Sequence, residues 1–326
     1  MEQSDLIWDR DGEKHKIFID NLAPIVLFTY NRLDHTRQTI EALQKNVYAA
    51  ESVLYIYSDA QKNEKATESV KAVRAYIHQV AGFKEIHIIE REENWGLARN
   101  IIDGVTQIVS EYGKIIVLED DIVTSKWFLK YMNDGLELYK DNPKVMAISG
   151  FTEPVKNNDL PDTFFLSWTS CWGWATWDRL WNDFKRNPQE LVDKYTDKDI
   201  KKFNLDGAFD YWSQVVANNE GKLYTWAIFF YATVFEKKGL VLFSKRSLSR
   251  NIGFDNSGEH CGHDDSLQNM QMQTVPVRFS TNMVVEASPE ISDRFKNFFK
   301  HRNQSSSKIR RAIRKIKDMF LFTFGE

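Results

Sequence analysis

The residues best placed to do chemistry are three consecutive carboxylates, Glu119-Asp120-Asp121, which follow the apolar run Ile115-Ile-Val-Leu118. Adjacent acids repel one another, and a divalent cation bridging a carboxylate to a diphosphate would relieve that repulsion; Mg2+ and Mn2+ suit such oxygen ligands. Helix capping by Asp121 or Ser125 is the structural alternative, but a cap uses one acid and not three. A second chemical group is Arg32, which follows the apolar run Pro24-Ile-Val-Leu-Phe28 and could pair its guanidinium with a phosphate. A third is the aromatic segment 164–184, with Trp168, Trp172, Trp174, Trp177 and Trp181. Indole faces can pack on sugar rings while polar neighbours bind hydroxyls. Trp174, Trp177 and Trp181 recur at helical spacing and are expected in a core, leaving Trp168 and Trp172 for acceptor contact. The fourth, His260-Cys-Gly-His263, clusters possible ligands without the second cluster that a structural metal site needs. It reads as a loop that folds over a bound ligand, with His260 touching a diphosphate or completing a metal's ligand shell, or else as a simple mobile loop.

Runs at 24–30, 52–58, 85–90, 114–119 and 144–149 are nearly continuous in apolar, β-prone residues, as strands buried on both faces should be. Stretches at 34–45, 66–80, 97–111 and 125–139 between them carry helical spacing. A β-α-β-α series of this kind predicts an α/β fold with a mostly parallel sheet flanked by helices. In such sheets ligands bind beyond the carboxyl ends of the strands, where the three acids and Arg32 fall. The stretch 251–266 is rich in Gly, Asn, Asp and His and reads as a loop.

The 326 residues, 42% hydrophobic and 27% charged, can bury a sizeable core, which excludes a disordered chain. Two cysteines cannot build a disulfide framework. The start of the chain is charged from its second residue and lacks a signal-peptide core, and no apolar stretch reaches membrane-spanning length. A cytoplasmic location is expected. The net charge of −3 conceals an asymmetry, since 294–317 is rich in Lys and Arg and has no acid. Within it Ile309, Ile313, Ile316 and Phe320 recur at helical spacing among cations, which predicts a basic amphipathic segment over 308–320 that meets an anionic membrane from the inner face. Nucleic acid is not expected as a partner.

The order and spacing of Pro24-Ile-Val-Leu-Phe-Thr-Tyr-Asn-Arg32, Ser58-Asp59, Asn94-Trp-Gly-Leu-Ala-Arg-Asn100, Glu119-Asp120-Asp121 and Ser170-Cys-Trp-Gly-Trp-Ala-Thr-Trp177 resemble nucleotide-sugar-dependent glycosyltransferases of the GT-A fold. Within these, the likeness is to a bacterial branch similar to N-acetylglucosaminyltransferase I. The resemblance implies a Rossmann-like, nucleotide-diphospho-sugar transferase domain over 23–262, with extensions at 1–22 and 263–303 and the basic tail at 304–326. It implies a DxD-type motif, Mn2+ or Mg2+ held by Asp121, and a nucleotide-sugar donor, a UDP-sugar in this branch. That donor would be held by Thr29, Arg32, Asp59, Asn100, Glu119, Asp120 and His260. It further implies inverting transfer of a hexose or N-acetylhexosamine to a glycan or lipid-linked acceptor, in surface polysaccharide or glycoconjugate synthesis. Inversion needs a proton acceptor, yet this chain has Ala227 where the family has Asp after a Trp. Asp210 is then the first candidate base, followed by Asp206, Asp255 and Glu259. Two other functions compete. A sugar-phosphate nucleotidyltransferase should show a Gly-rich phosphate loop after the first strand, which Thr29-Tyr-Asn-Arg-Leu33 lacks; a silent carbohydrate-binding scaffold would tolerate Ala227.

Overall fold

Continuous apolar runs make buried strands because both faces of a central strand must be covered. The computed structural model describes residues 6–8, 14–16, 21–255, 269–279 and 283–302. A short antiparallel pair, β1 (Leu6–Trp8) and β2 (Lys14–Lys16), precedes the main sheet. Then come β3 (Ile25–Thr29), α1 (Leu33–Gln44), β4 (Val53–Ser58), α2 (Thr67–Ile77), β5 (Glu85–Glu90), α3 (Gly96–Tyr112) and β6 (Lys114–Glu119). The chain continues through β7 (Ile122–Thr124), α4 (Phe128–Leu138), β8 (Val145–Ser149), β9 (Thr163–Leu166), β10 (Trp174–Trp177) and α5 (Asp178–Trp181). Next are α6 (Pro188–Lys194), α7 (Asp197–Phe203), α8 (Trp212–Asn219), α9 (Ala227–Glu236), β11 (Leu240–Ser244) and β12 (Ser249–Asn251). A last described helix, α10, covers 289–302.

Eight strands form one sheet in the order β5-β4-β3-β6-β10-β8-β11-β9. The pairings β5-β4, β4-β3, β3-β6 and β8-β11 are parallel, while β10 and β9 run against their neighbours. The fold is therefore α/β with a mostly parallel sheet flanked by helices, as the residue pattern predicts. Strands β3, β8 and β11 are buried along their whole length, whereas β5 alternates exposed and half-buried residues because it is the edge. Ile25, Leu27, Ile116, Leu118 and Ile148 share one core with Ile40 of α1, Val73 of α2 and Leu129 of α4. On the other face α3 crosses so closely that a Cβ at Gly104 would lie 2.9 Å from the Phe28 ring.

The Trp-rich segment departs from expectation. Trp174 and Trp177 lie on a strand, not on a helix, so their side chains point to opposite faces. Trp177 joins the core that contains Leu129, and Trp174 stacks with Trp181 and Trp226 at 5.9 and 5.2 Å on the other side. All three are packing residues, as expected, but the spacing that suggested a helix is a strand followed by the single turn of α5.

The chain divides into two compact units. Among the described residues, those up to Asn187 together with Tyr224–Ser288 contain the whole eight-stranded sheet, and Pro188–Leu223 with 289–302 form a smaller helical unit. In the smaller unit α7 starts with a capping box: the Thr196 hydroxyl accepts from the Asp199 N–H and the Asp199 carboxylate accepts from the Thr196 N–H. Its core is aromatic, with Tyr195 stacked on Trp212 at 5.3 Å and Phe209 edge-on to Phe299 at 5.7 Å. No helix among the described residues is long and apolar enough to cross a membrane.

Candidate functional site

In the parallel half of the sheet the strands end level, with Thr29 beside Ser58, Ser58 beside Glu90, and Phe28 beside Glu119. The three acids emerge from this carboxyl edge. Arg32 reaches them from the loop after β3: its Nη2 donates to Asp120 Oδ1 and, at 2.7 Å, to Asp121 Oδ2. All three side chains are largely buried, with 19%, 7% and 8% exposure. Burial opposes the arginine's charge, but Asp120 and Asp121 outweigh it and hold the guanidinium protonated. Burial, then repulsion from Asp121 and Asp120, pushes the Glu119 carboxyl up to about 8, and burial raises Asp120 to about 6 despite Arg32. Three crowded carboxyls thus share the site with one guanidinium, and their mutual repulsion is what a further cation would relieve.

Buried polar groups fasten this cluster. The Thr36 N–H and hydroxyl both donate to the Arg32 carbonyl at 2.9 Å, and the Thr39 hydroxyl donates to the Asp120 carbonyl at 2.8 Å. The Ile252 N–H donates to the Asp121 carbonyl at 2.9 Å, where β12 pairs antiparallel with β7. Gly253 follows so closely that a Cβ there would lie 2.3 Å from Asp121 Oδ2 and 3.0 Å from Arg32 Nη1. Asp121 does not cap α4; the nearby Ser125 hydroxyl accepts from the Trp127 N–H at 3.3 Å.

Three residues of the expected donor set have other occupations. Asp59 accepts from the N–H groups of Ala60, Trp95 and Gly96 and from the Asn94 amide, all within 3.0 Å. A carboxylate has about four acceptor positions, so Asp59 is consumed in holding the start of α3 against the tip of β4 rather than turned toward a nucleotide. Asn100 is 3% exposed; its oxygen accepts from Arg91 Nε at 2.9 Å and its amide donates to the Gly96 carbonyl. It orients Arg91, whose guanidinium lies 3.8 Å from the centre of the Trp95 ring and pairs with Asp103. The Thr29 hydroxyl, also buried, donates to the Tyr57 carbonyl. Gly96, at φ +71°, makes the turn that aims its N–H at Asp59. His260 and Glu259 lie outside the described residues.

Strand β10 starts beside the end of β6, where Trp174 pairs with Val117, so the aromatic loop before it leaves the sheet near the strand that carries the acids. Trp172 packs edge-on to Phe151 and to Phe254, at 4.4 and 5.3 Å. Trp168 is 3% exposed, so its ring faces are covered by protein and the acceptor contact expected of it is not available. The buried Cys171 thiol is pushed up, first by burial and then by Glu119. His35 Nε2 lies 3.1 Å from Asp255 Oδ2, a pair that residue spacing does not reveal.

The other candidate bases belong to the smaller unit. Asp206 pairs with Lys296 at 2.7 Å, and that hydrogen bond holds its carboxyl below the usual range, which makes it a poor proton acceptor. Asp210 is exposed; its Oδ1 accepts from the Ser213 N–H and the Asn204 amide. Ala227 is the first residue of α9 and supplies no carboxylate.

Among the described residues no three His, Cys, Asp or Glu side chains form a ready-made metal cage. Mg2+ and Mn2+ do not require one. Such ions are commonly held by one or two carboxylates with substrate phosphates and water completing the shell, and the crowded oxygen donors of Asp120 and Asp121 fit that mode.

No protein-family model matches the sequence, and no curated protein is similar to it. Among solved structures, the chain is similar to the mannosyltransferase PcManGT from Pyrobaculum calidifontis, described in complex with GDP-Man and Mn2+. The identity is 12%, the TM-score 0.33, and the match covers 50% of this chain and 47% of that one. It is also similar to S. aureus TarS, with 10% identity, TM-score 0.43, 70% of this chain and 36% of that one. Likenesses of that size assign no activity.

Proposed function

We propose that the chain is a metal-dependent glycosyltransferase that moves a sugar from a nucleotide-sugar donor, a UDP-sugar by the resemblance, to a glycan or lipid-linked acceptor with inversion. The observation that carries this reading is the Glu119-Asp120-Asp121 triplet at the carboxyl edge of the parallel strands, met there by Arg32. Asp121, with Asp120 beside it, would hold Mn2+ or Mg2+. When bound, the cation supplies Lewis-acid stabilisation of the charge that builds on the departing nucleoside diphosphate. Arg32 adds hydrogen bonds to the same diphosphate, because its Nη1 is buried and has no acceptor among the described residues. The Trp172 loop lines the side beside Glu119 and is the wall left for an acceptor sugar. Asp210, the first candidate base read from the sequence, is exposed, and among the described residues only its Oδ1 accepts hydrogen bonds, which leaves Oδ2 to take a proton.

The test is release of free nucleotide from a panel of UDP- and GDP-sugars, with Mn2+ and with EDTA. Metal-stimulated release from one donor class is the expected result. Pyrophosphate release from a nucleoside triphosphate and a sugar phosphate would instead mark a nucleotidyltransferase. Silence toward every donor, with glycan binding kept, would mark the scaffold that Ala227 allows.

A further inference from the structure

We propose that Arg32 is a built-in counter-ion for Asp120 and Asp121, which keeps a divalent cation out until a nucleotide diphosphate arrives, so that metal and diphosphate load together. This rests on the donor-site reading above and adds an order of binding to it. Arg32 Nη2 sits within hydrogen-bond reach of Asp120 Oδ1 and Asp121 Oδ2 at once. A guanidinium on those oxygens offsets the charge that would draw a dication and occupies an acceptor position on each carboxylate, so a cation alone is held more weakly while Arg32 stays. Because Arg32 is tethered through its own backbone, metal alone competes against a cation present at high local concentration. The competitor is also well fixed at its root, since Thr36 holds the Arg32 carbonyl with two hydrogen bonds.

The other half of the guanidinium shows what releases it. Nη1 is buried and, among the described residues, has no hydrogen-bond partner; it lies beside Gly253, whose own N–H is taken by the Asn251 side chain at 2.7 Å. A buried donor left unpaired is unfavourable, and a phosphate oxygen is a stronger acceptor than any group the protein offers it. A diphosphate would therefore draw Arg32 off the carboxylates by satisfying the idle nitrogen, and the vacated oxygens would then receive the cation that the same diphosphate brings. Metal without diphosphate has no such acceptor to offer the arginine.

The experiment measures Mn2+ affinity of the full chain by electron paramagnetic resonance and calorimetry, without nucleotide and with saturating UDP or GDP, corrected for nucleotide–metal complexes in solution. Wild type should bind Mn2+ weakly alone and at least ten-fold more tightly with one of the nucleotides. Arg32→Met should bind Mn2+ alone at least ten-fold more tightly than wild type, and the gain from nucleotide should shrink. Arg32→Lys, which keeps the charge with fewer hydrogen bonds, should fall between them and serves if Arg32→Met does not fold. Adding Asp121→Asn to either variant should abolish the gain. Equal or weaker Mn2+ binding in both folded Arg32 variants would overturn the counter-ion role while leaving the donor site standing. Absence of Mn2+ binding in every protein, with either nucleotide present, would overturn the donor-site reading and this inference with it.

Discussion

At the scale of single residues, the acids divide by what surrounds them. Asp121 faces Arg32 and the Gly253 strap and caps nothing, so its removal should spare the fold. Asp121→Asn should lower metal-dependent nucleotide release by about 10²-fold, the loss typical of a deleted electrostatic stabiliser, with an unchanged circular dichroism spectrum. Asp210 presents a different test because its Oδ1 also holds the Ser213 N–H at the start of α8. Asn serves that position as well as Asp, so Asp210→Asn should keep the helix, keep donor affinity and lose sugar transfer by at least about 10²-fold. Asp206→Asn removes only the pairing with Lys296 and should leave transfer near wild type, by the same donor-and-acceptor assay. Wild-type transfer in Asp210→Asn would return attention to Asp255, which lies against His35 in the unit that holds the acids.

At the scale of elements, the carboxyl edge is a set of strand tips joined by buried polar groups. Asp59 is the joint between β4 and α3, receiving two backbone N–H groups from the helix start and the Asn94 amide. Removing a buried acceptor leaves those donors unpaired, so Asp59→Ala should cost about 3 kcal/mol in urea unfolding. Asp59→Asn should be nearly as costly, because one of its oxygens becomes an NH2 that faces other N–H groups. Faster hydrogen exchange should be confined to the first turn of α3. Strand β10 is the second joint: it enters antiparallel between β6 and β8, with Trp174 beside Val117 and Ser149.

At the scale of the molecule, the site concentrates buried negative charge in a sheet that must remain folded without metal. Burial and mutual repulsion push the Glu119 carboxyl up to about 8, and burial raises Asp120 as well, while an unfolded chain holds such groups near their ordinary values close to 4. Between those limits the folded state holds more protons than the unfolded one, so this contribution to stability is fully present below about pH 4 and is lost as pH rises toward 8. In EDTA, Glu119→Gln should therefore gain melting temperature relative to wild type between pH 5 and pH 8, and Mn2+ with nucleotide should narrow the difference. The basic segment 308–320 lies outside the described residues. Its charge and apolar spacing lead to the expectation that removing 304–326 leaves donor hydrolysis unchanged and abolishes co-sedimentation with anionic, but not neutral, liposomes at low salt. Equal sedimentation of both proteins would end the membrane reading.

What the sequence determined by itself is whatever depends on neighbours along the chain. Apolar runs ending at Thr29, Ser58 and Glu119 are enough to announce parallel strands, and three acids at the end of one of them mark a candidate site. Arg32 was legible for the same reason, since it follows directly on a strand tip. The tertiary structure decided what depends on partners far apart in sequence. Period alone could not show that Trp174 and Trp177 occupy opposite faces of a strand, because i, i+3, i+7 also occurs in strand-plus-turn geometry. Nor could it show that Asp59 is spent on Trp95 and Gly96, that Asn100 serves Arg91, or that Gly253 lies against Asp121. A carboxylate carries no local mark of its partner; only the folded chain, by bringing residues 59 and 95 within hydrogen-bond distance and 121 and 253 into close approach, fixes which acids are satisfied.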